Sequence, residues 1–162
     1  MFQRLKATAV VVVLGALTMA QDQTSPNPPA HSLDIAVVVN VKNPTVRLSM
    51  ADLRKIFAGQ TRTWPSRIPI QLIIRAPEAH EHEAVLHLLR LSEPEFKHYW
   101  DSPAYWNEPA DPVAVFSNGM QKEAVMSFPG AIALMAAEDV KPGLKVLKID
   151  DKLPGEKGYP LQ

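Results

Sequence analysis

The 162-residue chain contains no cysteine. That excludes a disulfide, a thiolate metal centre and lipid attachment through a cysteine. Catalytic signatures are also missing. There is no nucleophile elbow, no phosphate-cradling glycine-rich loop and no zinc-protease pattern. Serine, histidine and aspartate all occur, but in no pattern that joins them, so no enzyme is expected and no cofactor is implied. No basic run and no interleaving of aromatic with basic residues appears, which argues against nucleic acid or an anionic membrane surface as a partner. Charge of either sign is balanced, at 17 basic and 17 acidic residues.

One long apolar run is present, at residues 7–20, after Arg4 and Lys6. It ends Thr18-Met19-Ala20, with small residues where a secretory signal peptidase cuts, and it is shorter than the ~20 apolar residues of a spanning helix. Residues 1–20 therefore read as a signal peptide. Its removal leaves 142 residues with 15 basic against 17 acidic side chains, a net charge of −2. That is enough chain for one domain with its own core. Residues 21–32 carry Pro26, Pro28 and Pro29 among Ser, Asn and Gln, and read as a flexible linker. Residues 150–162 carry Pro154, Gly155, Gly158 and Pro160 and read as a loose tail.

Between them lies an α/β pattern. Residues 33–40 are an extended run, continuously apolar from Ile35 to Val39, as in a strand buried on both faces. Ser49 and Asp52 begin a helix in the manner of a capping box; Leu53, Ile56 and Phe57 form its apolar stripe, and Gly59 ends it. Residues 68–74 form a second strand closing on Arg75. The order strand, helix, strand reads as a βαβ unit, with ligands expected at strand carboxyl ends. Helices follow at 77–91, from Ser92-Glu93-Pro94-Glu95 onward, and at 118–128. Strands are expected at 113–116, 132–135 and 144–149, giving a mostly parallel or mixed sheet flanked by helices.

Two segments carry a resemblance. Asn40-Val41-Lys42-Asn43-Pro44 with Leu48-Ser49-Met50-Ala51-Asp52-Leu53-Arg54-Lys55-Ile56-Phe57-Ala58-Gly59 and Trp64 resembles the phosphate-type periplasmic substrate-binding proteins of ABC transporters. Residues 118–125 with Pro129-Gly130-Ala131-Ile132 are similar to a second segment of that family. The resemblance covers residues 33–147. It implies one lobe of a type II periplasmic binding protein, since a complete two-lobed protein needs about twice this length. It also implies a free periplasmic protein, a phosphate-like anion as ligand, and a membrane transporter as partner.

The family pattern places an Arg at a strand end, followed by a Ser-Gly-Thr core opening a helix. Arg75 keeps the Arg. Ala79, His80 and Glu81 replace the Ser-Gly-Thr core by position. Hydroxyls and a close backbone approach are thereby lost, and Glu78, Glu81 and Glu83 bring negative charge to the helix start. The expected ligand set is Arg75, Asn40, His80, Ser117 and Asn118, holding a small anion weakly or not at all. Plainer roles exist for each: an ion pair with Glu78 or a nearby Asp for Arg75, an Asx turn for Asn40, a helix N-cap for Ser117 or Asn118. A second function is docking to a transporter, a sensor or a second copy of the chain. A third is metal binding by His80, Glu83 and His87, which share a helix face, although the spacing matches no known zinc site and no metal site is assigned. Tyr99, Trp100, Tyr105 and Trp106 either line a groove or, more plainly, fill the edge of the core.

The export reading is checked by N-terminal sequencing of periplasmic material. The expected first residue is Gln21; intact Met1 in the membrane fraction would contradict it.

Overall fold

The structure, a computed structural model, describes residues 34–102 and 111–162. The expected signal peptide and linker, and Tyr105 and Trp106, lie outside the described residues. Among the described residues no helix is long and apolar enough to cross a membrane.

Strand β1 (Ile35–Asn40) is buried at all six positions. Its alternation sorts the core into two layers. Ile35, Val37 and Val39 face a cluster with Leu53, Phe57, Val85 and Leu88. Ala36 and Val38 face a thinner cluster with Ala131, Ala133 and Val125. Helices α1 (Met50–Phe57) and α2 (His80–Leu89) cover the first face, and α4 (Asn118–Ser127) the second. Small alanines on the second face let α4 approach closely.

Five strands form the main sheet in the order β4 (Val113–Val115), β3 (Gln71–Arg75), β5 (Ala131–Ala136), β1, β6 (Leu144–Val146). Strand β3 runs parallel to β4 and β5, whereas β1 runs antiparallel to β5 and β6. The sheet is mixed and the class is α/β. The expected βαβ unit needs correction: β5 lies between β1 and β3, and the two run in opposite directions. Their carboxyl ends therefore lie at opposite edges of the sheet. The expected strand at 144–149 is two strands, because β7 (Lys148–Ile149) leaves the sheet to pair with β2 (Arg47–Leu48).

Local signals act as read. The Ser49 hydroxyl accepts from the Asp52 amide at 3.0 Å, and Gly59 takes φ +67° just past α1. Ser92 and Glu95 form the capping box that opens α3 (Glu93–Asp101). Trp64 is buried, and its indole N–H donates to the Gly130 carbonyl at 3.0 Å. The two segments of the resemblance thus touch. Helix α2 starts at His80 rather than at Pro77, because Glu78 adopts φ +75°, outside the helical region.

The tail from residue 150 is packed rather than loose. Leu161 accepts from the Ile35 amide at 2.8 Å, and the Tyr159 hydroxyl donates to the Ile35 carbonyl at 2.7 Å. Both Tyr159 and Leu161 join the main core. The glycines serve as turns: Gly155 and Gly158 have φ +86° and +78° and steer Tyr159 inward.

Tyr159 is 2% exposed. Burial, and secondarily the nearby Asp34 carboxylate, push its phenol well above the ordinary range. An unfolded tyrosine ionises near pH 10, as ~10 is its unperturbed value. The stabilising contribution is complete below that pH and lost as pH rises through the gap, at ~1.4 kcal/mol per pH unit. Urea unfolding between pH 9 and 11 is expected to show this alkaline loss, and Tyr159→Phe to remove its share.

Candidate functional site

Parallel pairing brings the carboxyl ends of β3, β4 and β5 to one edge, where α2 and α4 begin. Arg75 closes β3 in register with Val115 of β4. It shares a face with Ile73, the face covered by α4. Its guanidinium donates to the side-chain oxygen of Asn118, the first residue of α4. Asn118 in turn donates to the Asp139 carboxylate at 2.5 Å. Arg75, Asn118 and Asp139 are therefore one polar chain linking three segments. No ion pair with Glu78 forms; the carboxylate answering Arg75 is Asp139, through the amide of Asn118. Ser117 caps α4, its hydroxyl accepting from the Met120 amide at 3.2 Å.

Asn40 does not join them. Its amide donates to the carbonyls of Val125 and Met126, at 3.0 and 2.8 Å, and its oxygen accepts from the Lys42 amide at 2.9 Å. It caps the far end of α4 as well as making the Asx turn. The ten residues of α4 separate it from Asn118, a length of ~15 Å. The physical reason is the reversed direction of β1.

The start of α2 differs from an anion cradle. Ala79 occupies the N-cap position and makes no side-chain cap. Glu81 is buried in the first turn and Glu83 is exposed there. Each carboxylate near the positive end of a helix already complements it. At 4 Å and surface-like dielectric a further anion would meet repulsion of ~1–4 kcal/mol from each. His80 is exposed and lies 4.0 Å from Glu83. It lines a separate hollow of about 240 Å³ with Glu83, His87 and Arg54; Arg75 is not among its walls. Among the described residues no group of three His, Cys, Asp or Glu side chains is placed to hold a metal ion.

His82 is the residue that sequence reasoning passed over. It is 4% exposed, with Nδ1 2.8 Å from the Arg75 carbonyl and Nε2 2.7 Å from the Glu93 carboxylate. A carbonyl only accepts, so Nδ1–H donates to it. The ring also stands edge-on to Phe96, centroids 5.2 Å apart. His82 thus ties the end of β3 to the start of α3. The available signal was the helix phase: Val85 and Leu88 lie on the buried face, and position 82 is three residues before Val85.

With this geometry in view, comparison with solved structures is decisive for the fold. An ABC-type phosphate transport receptor from Vibrio cholerae superposes with a TM-score of 0.60 at 22% identity, over 75% of this chain and 48% of its own. A Clostridium perfringens protein with bound phosphate, assigned to the substrate-binding proteins of phosphate ABC transporters, superposes with a TM-score of 0.64 at 17% identity, over 79% of this chain and 51% of its own. The chain has the fold of one lobe of a phosphate-type binding protein. PstS from Borrelia burgdorferi is similar too, with a TM-score of 0.57 at 18% identity, over 75% and 49% of the two chains. The lobe spans about half the length of these proteins. No protein-family model matches the sequence, and no curated protein matches it.

The two ends of α4 are separable by mutation. Asn40→Ala strands two helix-end carbonyls and the Lys42 amide, and is expected to lower stability by ~1–3 kcal/mol. Guanidinium unfolding measures it. An unchanged midpoint would contradict the capping role.

Proposed function

We propose that this chain is a periplasmic, non-enzymatic binding lobe whose anion site is partly occupied from within, one Arg75 nitrogen being held by Asn118 while its buried Nε has no hydrogen-bond partner among the described residues. It binds a small phosphate-like anion weakly or not at all. The observation that carries this reading is the engagement of Arg75 by Asn118, itself held by Asp139. An incoming anion would have to compete with that amide while a carboxylate stands behind it. The start of α2 offers no hydroxyl donors at Ala79, His80 and Glu81, and places Glu81 and Glu83 there instead.

A second reading is a docking role for this edge, toward a membrane transporter, a sensor or a second copy of the chain. It is favoured by Phe116, 74% exposed just beyond β4, and by Met120, 48% exposed in the first turn of α4. These apolar side chains flank Ser117 and Asn118 in sequence. A partner docked on this edge would cover them.

Calorimetric titration of the protein with phosphate at neutral pH tests the first reading. The expected dissociation constant is no tighter than ~1 mM, about −4 kcal/mol. Micromolar, saturable binding that disappears in Arg75→Ala would replace this reading with that of a plain solute receptor.

A further inference from the structure

Residues 53–77 include Arg54, Lys55, Arg62, Arg67 and Arg75 and no acidic residue. In a chain with equal numbers of basic and acidic residues this is a local excess of positive charge. Arg75 donates one hydrogen bond to Asn118 on another face of the sheet edge. Arg54 and Lys55 stand in the last turn of α1, and Arg90 follows α2 in a left-handed conformation, φ +57°.

These three cations line one hollow of about 290 Å³, together with the apolar groups of Ala58, Leu88 and Leu89. No carboxylate lines it. None of the three cations is ion-paired among the described residues. Arg54 is steadied by one hydrogen bond, from Nε to the Leu88 carbonyl at 3.2 Å. Cations commonly sit at helix carboxyl ends, where they complement the dipole. That accounts for a cation on each helix. It does not account for three, drawn from two helices, around one concavity with an apolar lining.

The hollow also has a continuation. Arg54 and Leu88 are walls of the 240 Å³ hollow that also holds His80, His87 and one acidic side chain, that of Glu83, so the acidic residues of a ligand belong at the Arg54, Lys55 and Arg90 end. The two hollows share these walls and follow α2 from its first turn to its last. The helix has ten residues, so the groove is ~15 Å long. An extended segment of four or five residues has that reach, at ~3.3–3.6 Å each.

We propose that the groove between α1 and α2 is a docking site for a short, extended acidic segment of a partner protein. Its carboxylates pair with Arg54, Lys55 and Arg90, and an apolar side chain between them covers Ala58 and Leu89. Arginine suits this role because its planar fork meets a carboxylate through two parallel hydrogen bonds. Charge complementarity selects an acidic partner, and the apolar lining selects a peptide over a bare inorganic anion, which would leave that lining uncovered. Arg54, Lys55 and Arg90 are not residues of the Arg75 edge, so the proposal stands or falls separately from the anion reading, although the far end of the groove reaches His80 and Glu83 at the start of α2.

The test uses the protein from Gln21 onward and a fluorescein-labelled peptide alternating glutamate with leucine, read by anisotropy at low and moderate salt. Saturable binding is expected, weakened at least tenfold in the double variant Arg54→Gln/Arg90→Asn. Asparagine tolerates the left-handed conformation at position 90, and circular dichroism verifies folding. Lys141→Gln, an exposed cation outside the groove, is expected to leave binding unchanged. A peptide with glycine in place of leucine is expected to bind several-fold more weakly. Equal binding by the double variant would overturn the proposal, as would equal binding of the glycine peptide, which would mean attraction by bulk charge alone. Preferential binding to phosphatidylglycerol vesicles, lost in the same double variant, would overturn it in favour of a lipid surface.

Discussion

One carbonyl oxygen, that of Gly130, organises the sheet on which everything else is mounted. It accepts from the Gln71 amide and from the Trp64 indole, each at 3.0 Å. A side chain at position 130 would place its Cβ 1.8 Å from the Pro69 carbonyl oxygen, so only glycine allows the approach. The junction starts β3 and β5 together, pairing Gln71 with Ala131. A slip of one residue would turn every side chain of β3 to the other face. Ile73 and Arg75 would then leave the α4 side, and Arg75 could no longer meet Asn118.

Helix α4 is the second organising part, and its two ends do different work. Asn40 closes the carboxyl end, while Ser117 opens the amino end beside Arg75. Gln121, fully buried between them, anchors the helix to the sheet by donating to the Leu134 carbonyl at 2.8 Å. A helix held in this way presents Asn118 to Arg75 at a fixed position. The edge that would greet an anion is instead cross-linked from strand to helix to the turn carrying Asp139. The backbone follows one lobe of the solved structures, while the side chains at its strand ends make contacts of their own. Fold and function are separable in this manner, because the fold depends on buried apolar layers and the site on a few exposed polar groups.

Much of the fold was legible in the sequence because its signals are local. Strand β1 announced itself by an unbroken apolar run, α1 by a serine cap, an apolar stripe and a terminal glycine, and α3 by its capping box. Trp64 and Gly130 each stood out, but nothing in either segment said that they touch. Arg75 was legible as the charged end of an apolar strand. His82 was not, because a histidine among charged neighbours gives no hint of burial until the phase of α2 is known. The tail misled for a related reason: proline and glycine mark turns, and whether a turn leads outward or into a core depends on what waits there.

By itself the sequence determined which segments become strands and helices, the α/β class, and the absence of hydroxyl side chains at Ala79, His80 and Glu81. These follow from side-chain periodicity, backbone preferences and residue identity, all properties of short stretches. Only the tertiary structure decided that β1 runs against β3, and hence that Asn40 and Arg75 stand at opposite edges. It alone paired Arg75 with Asn118, turned His82 inward, and gathered Arg54, Lys55 and Arg90 around one hollow. Strand direction and side-chain partnership arise from pairing between segments far apart in the chain. Such pairing is settled by register and by the burial of two faces at once.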